Sequence, residues 1–281
     1  MSNKEGQIIR FTEGAHYYDC RNGEPKPKHD ADLRVARKEN LYVSPTTLDR
    51  ACFPNPRLEK WKMTELALAA CDNPKQPHED VEDYCNRIYD LSLEKSLTAA
   101  NFGNEVHDAI EHYPQMPLDP AIQPFFNTMG DWFAKVSSTV GMEMILVDHD
   151  LGVAGRTDRI VVIDGQLVIV DFKSQGIKPD KKGRLTPNYY DSWVRQLSFY
   201  ACAYAKQTGT FPNIPRCMNV VINSKEPTPP FVKVYDSEEV RYAYKSFVIA
   251  AYGWFAERSF WPQQNGPFDV TSTLPMPICQ K

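Results

Sequence analysis

The sequence predicts one α/β domain entered through a helical N-terminal part. Three observations carry that expectation. Apolar residues recur at helical spacing through most of 55–140. From Glu143 the chain changes to β-branched runs bounded by turn residues, and helices and strands then alternate. Composition agrees, because 42% of the 281 residues are hydrophobic and 24% charged, which is too apolar for a disordered chain.

Residues 1–40 are polar, mixed in charge and broken by Gly23, Pro25 and Pro27, so they read as a largely irregular arm. YVSPTTLDRACF leads into the domain, expected to span 41–260 as a helical part (41–140) and an α/β core (141–260). Pro54 and Pro56 open RLEKWKMTELALAAC, where Leu58, Trp61, Leu66 and Leu68 predict an amphipathic helix. VEDYCNRIYDLSLEKSL and NFGNEVHDAIEHY read as two further helices, the second ending at Pro114, and AIQPFFNTMGDWFAKVSSTV as another. Then come three strands, MEMILVDHDLGVAG, RTDRIVVID and QLVIVDFKS, and a basic loop, KPDKKGRLTPN. YYDSWVRQLSFYACAYAKQTG is helical up to Gly209. RCMNVVINS and FVKVYD are two more strands, and Asp236 with Glu239 forms a capping box opening a last long helix. The Pro-rich tail 261–281 is expected to be irregular.

Several function classes are disfavoured. No run approaches the roughly 18 apolar residues of a membrane span, so no membrane partner is expected. The start MSNKEGQIIRFTEG has no apolar stretch of a secretory signal, and the acidic residues after it argue against a transit peptide. The seven cysteines (Cys20, Cys52, Cys71, Cys85, Cys202, Cys217, Cys279) form no C-x-x-C pair, which reads as reduced thiols in a cytosol-like compartment. A net charge of −4 opposes coating of nucleic acid by bulk charge, though not a local basic groove. No G-x-x-x-x-G-K-[ST] is present, so no nucleotide cofactor is expected.

The chemistry concentrates in one hairpin. Asp164-Gly165 between β-branched runs signals a two-residue type I′ turn, which sets Ile163 against Gln166, Val161 against Val168 and Asp158 against Asp171. Two opposed carboxylates repel unless a divalent cation lies between them. By period two, Lys173 shares the face of Asp171 while Phe172 enters the opposite layer. The plainer alternative is a strand-end Asp158 beside a surface Asp171–Lys173 pair.

GRTDRI, followed thirteen residues after its Asp by DFK and then by QLSFY on a helix, resembles the PD-(D/E)XK nuclease superfamily, in particular its RecB-like branch. GNEVHDAIE upstream is similar to that branch's His-bearing helix. With YVSPTTLDRACFPNPRLEKWK and the Glu of MEMILVDHDLGVAG, the chain looks most like the mitochondrial genome maintenance exonucleases and related phage or bacterial exonucleases, over about residues 41–260. The resemblance implies a restriction-endonuclease-like core, a mixed central sheet flanked by helices.

It also implies roles. Asp158 and Asp171 would be metal-ligating carboxylates, the Phe172 carbonyl a backbone ligand and His107 a further ligand. Lys173 would orient or deprotonate the attacking water, Glu143 would sit near the metal or orient solvent, and Gln196 and Tyr200 would brace the site or touch the substrate backbone. A salt-bridged surface residue is the plainer alternative for His107, a strand-end charge for Glu143 and plain core packing for Tyr200. Trp61, among Arg57, Lys60 and Lys62, would either stack a base or sit in the core. Arg156, Lys178 and the basic loop after it fit a phosphate track or a solvated surface. The implied cofactor is Mg²⁺ or Mn²⁺. Some members hold an iron–sulfur cluster through one early and three clustered late cysteines; here Cys279 stands alone at the end, so no cluster is expected. The implied partner is DNA, single-stranded by preference, with a recombination or replication protein as a further one, in the cytoplasm of a bacterium or phage-infected cell. The resulting expectation is an exonuclease; a structure-specific endonuclease and a non-catalytic nucleic-acid-binding protein are the alternatives.

Overall fold

The computed structural model describes residues 16–21, 23–111 and 119–262, with the side chains at 95–100, 107, 108 and 111 outside that description. In chain order the elements begin with β1 (Tyr17–Asp19), β2 (Lys26–Lys28), α1 (Leu33–Glu39), β3 (Tyr42–Val43), α2 (Pro45–Cys52), α3 (Pro56–Asp72) and α4 (Val81–Glu111). Then come α5 (Gln123–Asn127), α6 (Gly130–Phe133), β4 (Val136–Met142), β5 (Ile145–Asp148), β6 (Val153–Arg156), β7 (Arg159–Ile163) and β8 (Gln166–Gln175). Last are α7 (Asp191–Gln207), β9 (Arg216–Asn223), β10 (Phe231–Tyr235) and α8 (Ser237–Glu257).

Two sheets result, ordered β2-β1-β3-β6-β5 and β10-β9-β8-β7-β4. Both are mixed, since β3 runs parallel to β6 and β8 parallel to β9. The second sheet is covered on both faces. Val161, Val168, Val170 and Phe172 pack with Val106, Ile110, Trp132 and Phe133 of α4 and α6. Ile160, Ile169 and Cys217 pack with Leu197 and Phe199 of α7 and Phe247 of α8, in a cluster that also takes Val43, Leu146 and Val153 of the first sheet. Double coverage is why these strands read as unbroken apolar runs, not alternating ones.

The sheets meet at one corner. Met142 pairs with Arg159 in the second sheet and Ile145 with Arg156 in the first. Between them the Glu143 N–H donates to the Asp158 carbonyl at 3.0 Å and the Thr157 N–H to the Met144 carbonyl at 2.9 Å. Glu143 turns the corner in the left-handed region, at φ 47°.

Several elements differ from the expectation. The described part of the arm is not irregular: β1 and β2 extend the first sheet, and Tyr17, Tyr18 and Ala36 are buried. The helix expected over 121–140 is instead α5, α6 and β4, because Pro124 starts a fresh turn and the β-branched Val136, Thr139 and Val140 favour an edge strand. The two helices expected over 81–113 are one, α4, within its described residues. MEMILVDHDLGVAG is two strands, β5 and β6, separated by a turn with Gly152 at φ 70°. α3 exists but buries no residue. Trp261, at the start of the tail, is buried beside Phe260 at the end of the domain; residues 263–281 lie outside the described ones.

Candidate active site

The β7–β8 hairpin has the expected register: Ile163 faces Gln166, Val161 faces Val168, and Arg159 faces Val170. Asp164 and Gly165 carry it with φ of 51° and 71°, both positive as a type I′ turn requires. One residue beyond the last pair, an Asp158 carboxylate oxygen accepts the Phe172 N–H at 2.7 Å. The two carboxylates of Asp158 and Asp171 therefore share the hairpin's open end, at the corner where the sheets part. Phe172 sends its ring into the other layer, edge-on to Trp132 with centroids 5.3 Å apart.

Asp171 is 1% exposed, so its charge is bound to be compensated. Lys173 Nζ donates to its Oδ1 at 2.7 Å and also reaches Gln196 Oε1 at 3.3 Å. Gln196 Nε2 in turn donates to the Tyr200 hydroxyl at 3.2 Å. Since an ammonium only donates, it fixes which end of the Gln196 amide faces Lys173. Burial first, with the Asp158 and Asp171 charges among the lesser causes, pushes the Tyr200 phenol well above its usual range. It stays protonated. Gln196 thus links Lys173 to Tyr200 along α7.

Sequence reasoning missed the residues behind Asp171. Asn219, wholly buried on β9, is the direct parallel-strand neighbour of Asp171. Its amide nitrogen donates to Asp171 Oδ2 and, at 3.2 Å, to the Asp171 carbonyl. The Tyr235 hydroxyl donates to Asn219 Oδ1 at 2.7 Å and so fixes the amide's orientation. Burial, followed by the Asp171 charge, pushes the Tyr235 phenol up, which keeps that donor proton in place. The signal was an Asn inside the apolar run RCMNVVIN, a buried polar group that must find a partner.

The remaining expected residues are placed unevenly. Glu143 is tied by its backbone to Asp158 and by its side chain to Arg156, at 3.1 Å. That pair rims the corner. Lys178 is exposed and follows Ile177, whose N–H is anchored on Asn223 at 3.0 Å. Trp61 is 40% exposed on α3, which leans on α4, and among the described residues no contact ties it to the Asp171 network. The His107 side chain lies outside the described residues. Its helix does cross the end of β8, for a Cβ added at Gly103 would come within 2.5 Å of Ser174 Oγ.

Among the described residues no three His, Cys, Asp or Glu side chains form a metal cage. The donor chemistry still suits a hard cation. Mg²⁺ commonly takes one or two protein carboxylates and completes its shell with water and substrate phosphate oxygens, and Asp158 with Asp171 offers that pair.

Residues 118–245 match the family model of the PD-(D/E)XK nuclease superfamily. The superfamily span runs from the segment before α5 into α8 and includes Glu143, Asp158, Asp171, Lys173, Gln196, Tyr200 and Asn219, leaving His107 and Trp61 outside. The mixed sheets flanked by helices are consistent with the superfamily's fold. No curated protein matches the chain. Among solved structures, the crystal structure of SSO0001 aligns at 13% identity over 73% of this chain and 93% of that one, with a TM-score of 0.23, too low to carry any argument.

Proposed function

We propose that this protein is a Mg²⁺- or Mn²⁺-dependent deoxyribonuclease that hydrolyses phosphodiester bonds from free single-stranded or frayed ends. The observation that carries the reading is the hairpin end holding Asp158, Asp171 and Lys173 together inside the span that matches the nuclease superfamily. Asp158, Asp171 and the Phe172 carbonyl would hold the cation, with His107 and Glu143 as the further candidates. When bound, that cation polarises the scissile phosphate and lowers the pKa of a water. Lys173, braced by Gln196, holds its ammonium where it orients the attacking water and offsets phosphate charge. Asn219 keeps the Asp171 carboxylate turned toward the site.

Attack from ends follows from charge and shape. A chain of net charge −4 has little diffuse attraction for a long duplex, so binding must be local. α4 packs against the end of β8 at Gly103, and an arch of the helical part over the strand ends would admit a single strand and exclude a duplex. The test is a covalently closed single-stranded DNA circle beside the same strand linearised, in Mg²⁺. A resistant circle and a degraded linear strand are expected, and the linear strand should yield short products from the first turnovers. Equal cutting of both would favour the endonuclease on the same core; cutting of neither would favour a non-catalytic binding protein.

A further inference from the structure

α7 and the segment leading into it run antiparallel along the site face of β8, and two contacts fix the alignment. Gln196 meets Lys173, and the Gln175 side chain clamps the backbone of Asn188. That clamp is two-sided: Gln175 Nε2 donates to the Asn188 carbonyl at 3.1 Å, and the Asn188 N–H donates to Gln175 Oε1 at 2.8 Å. The segment just after Asn188 is therefore pinned to the mouth of the site. It carries Tyr189 and Tyr190, and Trp193 follows one turn before Gln196 on the same side of α7, a rise of about 4.5 Å.

These rings form one cluster. Tyr190 meets Trp193 edge-on with centroids 5.1 Å apart, and Tyr189 does so at 6.2 Å. Both tyrosines stand in solvent, 36% and 39% exposed. Lys233 Nζ lies 5.6 Å from the Tyr189 ring centre. The exposed loop holding Lys178, Lys181, Lys182 and Arg184 leads into the same segment.

Tyr190 occupies the N-cap of α7 without a side-chain capping bond, where Ser, Thr, Asp or Asn would satisfy an amide of the first turn. A local rule broken beside a candidate active site is where a functional demand is expected.

We propose that Tyr189, Tyr190 and Trp193 form a stacking shelf for an unpaired nucleobase next to the phosphate held at Lys173. Every base has a π-face, so such a shelf is tolerant of sequence but demands an unpaired base. It thereby selects single strands at the entrance, with the adjoining cations taking the flanking phosphates. The inference rests on the nuclease reading for its substrate but is testable without cleavage.

The experiment is fluorescence anisotropy of a labelled single-stranded oligothymidylate in EDTA, with the full chain. Tyr190→Leu and Trp193→Leu should each weaken binding by about 5- to 100-fold while leaving the slope of log K against log salt unchanged. Tyr190→Phe should bind like the wild type. Lys181→Ala should instead lower that slope by about 0.7, one phosphate contact on a single strand. A single abasic site moved along the oligomer should reveal one position where the wild type loses affinity and Trp193→Leu loses no more. Tyr190, being exposed, decides the matter if Trp193→Leu does not fold. Wild-type affinity in Tyr190→Leu, equal abasic penalties in variant and wild type, or no single-strand binding at all would overturn the shelf. A wild type that shows the shelf's signature yet cleaves nothing in Mg²⁺ would instead remove the nuclease reading and leave the shelf standing.

Discussion

Lys173 divides its donors between two acceptors, Asp171 at 2.7 Å and Gln196 at 3.3 Å, and a lysine ammonium has three. Among the described residues no acceptor meets the third, which can serve water or phosphate. Lys173→Ala is expected to lower cleavage by about 10²- to 10⁴-fold, the usual worth of a positioned proton-transfer group. It should leave Mn²⁺ binding by calorimetry intact or tighter, since the cation beside Asp171 is gone; lost Mn²⁺ binding would contradict this division of labour. Lys173→Arg should also be poor, because a planar fork cannot sit in the place of a compact amine. Asn219 and Tyr235 act one step further back, so their effects should not add. Tyr235→Phe leaves a buried amide oxygen without its donor, and Asn219→Leu removes the donor to Asp171 Oδ2 while Lys173 stays on Oδ1. Each should weaken the apparent Mg²⁺ affinity by about 10- to 100-fold. The double variant should fall within about twofold of Asn219→Leu; a fully additive loss would show two independent roles.

At the scale of elements, α7 straps the site to the rest of the molecule. Its Arg195 pairs with Asp49 of α2 and lies 3.8 Å over the Phe53 ring. Its Lys206 pairs with the wholly buried Asp148 of β5, which also accepts from Tyr244 of α8 at 3.0 Å. Asp49→Ala strands a guanidinium that is only 13% exposed, so unfolding should become easier by about 2–4 kcal/mol, read by urea titration. Activity at low temperature should change less than after Lys173→Ala. These long-range ties were invisible in the sequence, whereas local chemistry was readable. Asp164-Gly165 announced its turn, Asp236 with Glu239 announced its capping box, and the period of two put Asp171 and Phe172 on opposite faces. Asn219 escaped because the β8–β9 register is set by packing across α7, not by any pattern within RCMNVVIN. β4 escaped because Phe125, Phe126, Trp132 and Phe133 mimic helical spacing until Val136. The apolar residues of α3 repeat at helical spacing yet none is buried, so the core placement weighed for Trp61 does not hold.

At the scale of the whole molecule, the buried protons predict how stability depends on pH. Burial, with Asp148 as the next cause, pushes the Cys202 thiol up to about 12, and burial pushes Cys217 up as well. The phenols of Tyr200, Tyr235 and Tyr244 are likewise raised, desolvation leading in each. Cys202, Cys217, Tyr200 and Tyr235 lie in or beside the layer that joins the two sheets, so one cooperative unit holds them. A raised folded pKa means the folded chain keeps a proton that the unfolded chain releases. Stability from these groups is complete below the ordinary thiol value of 9.0 and is lost as pH rises through about 12. Each group that releases its proton only on unfolding steepens the loss by about 1.4 kcal/mol per pH unit. On the acid side, the depressed carboxyls among the described residues include surface ones, Asp19 held at about 2 by Arg21 and Glu79 at about 2 by Arg87, and such pairs lose their small contribution as pH falls from about 4 toward 2. Thermal melts at constant ionic strength should therefore show a plateau near neutrality and a steep fall above pH 9. Cys202→Ala should flatten that fall while lowering the plateau. A melting temperature unchanged from pH 8 to pH 11 would mean that the thiols and phenols of this layer do not hold their protons in the folded state.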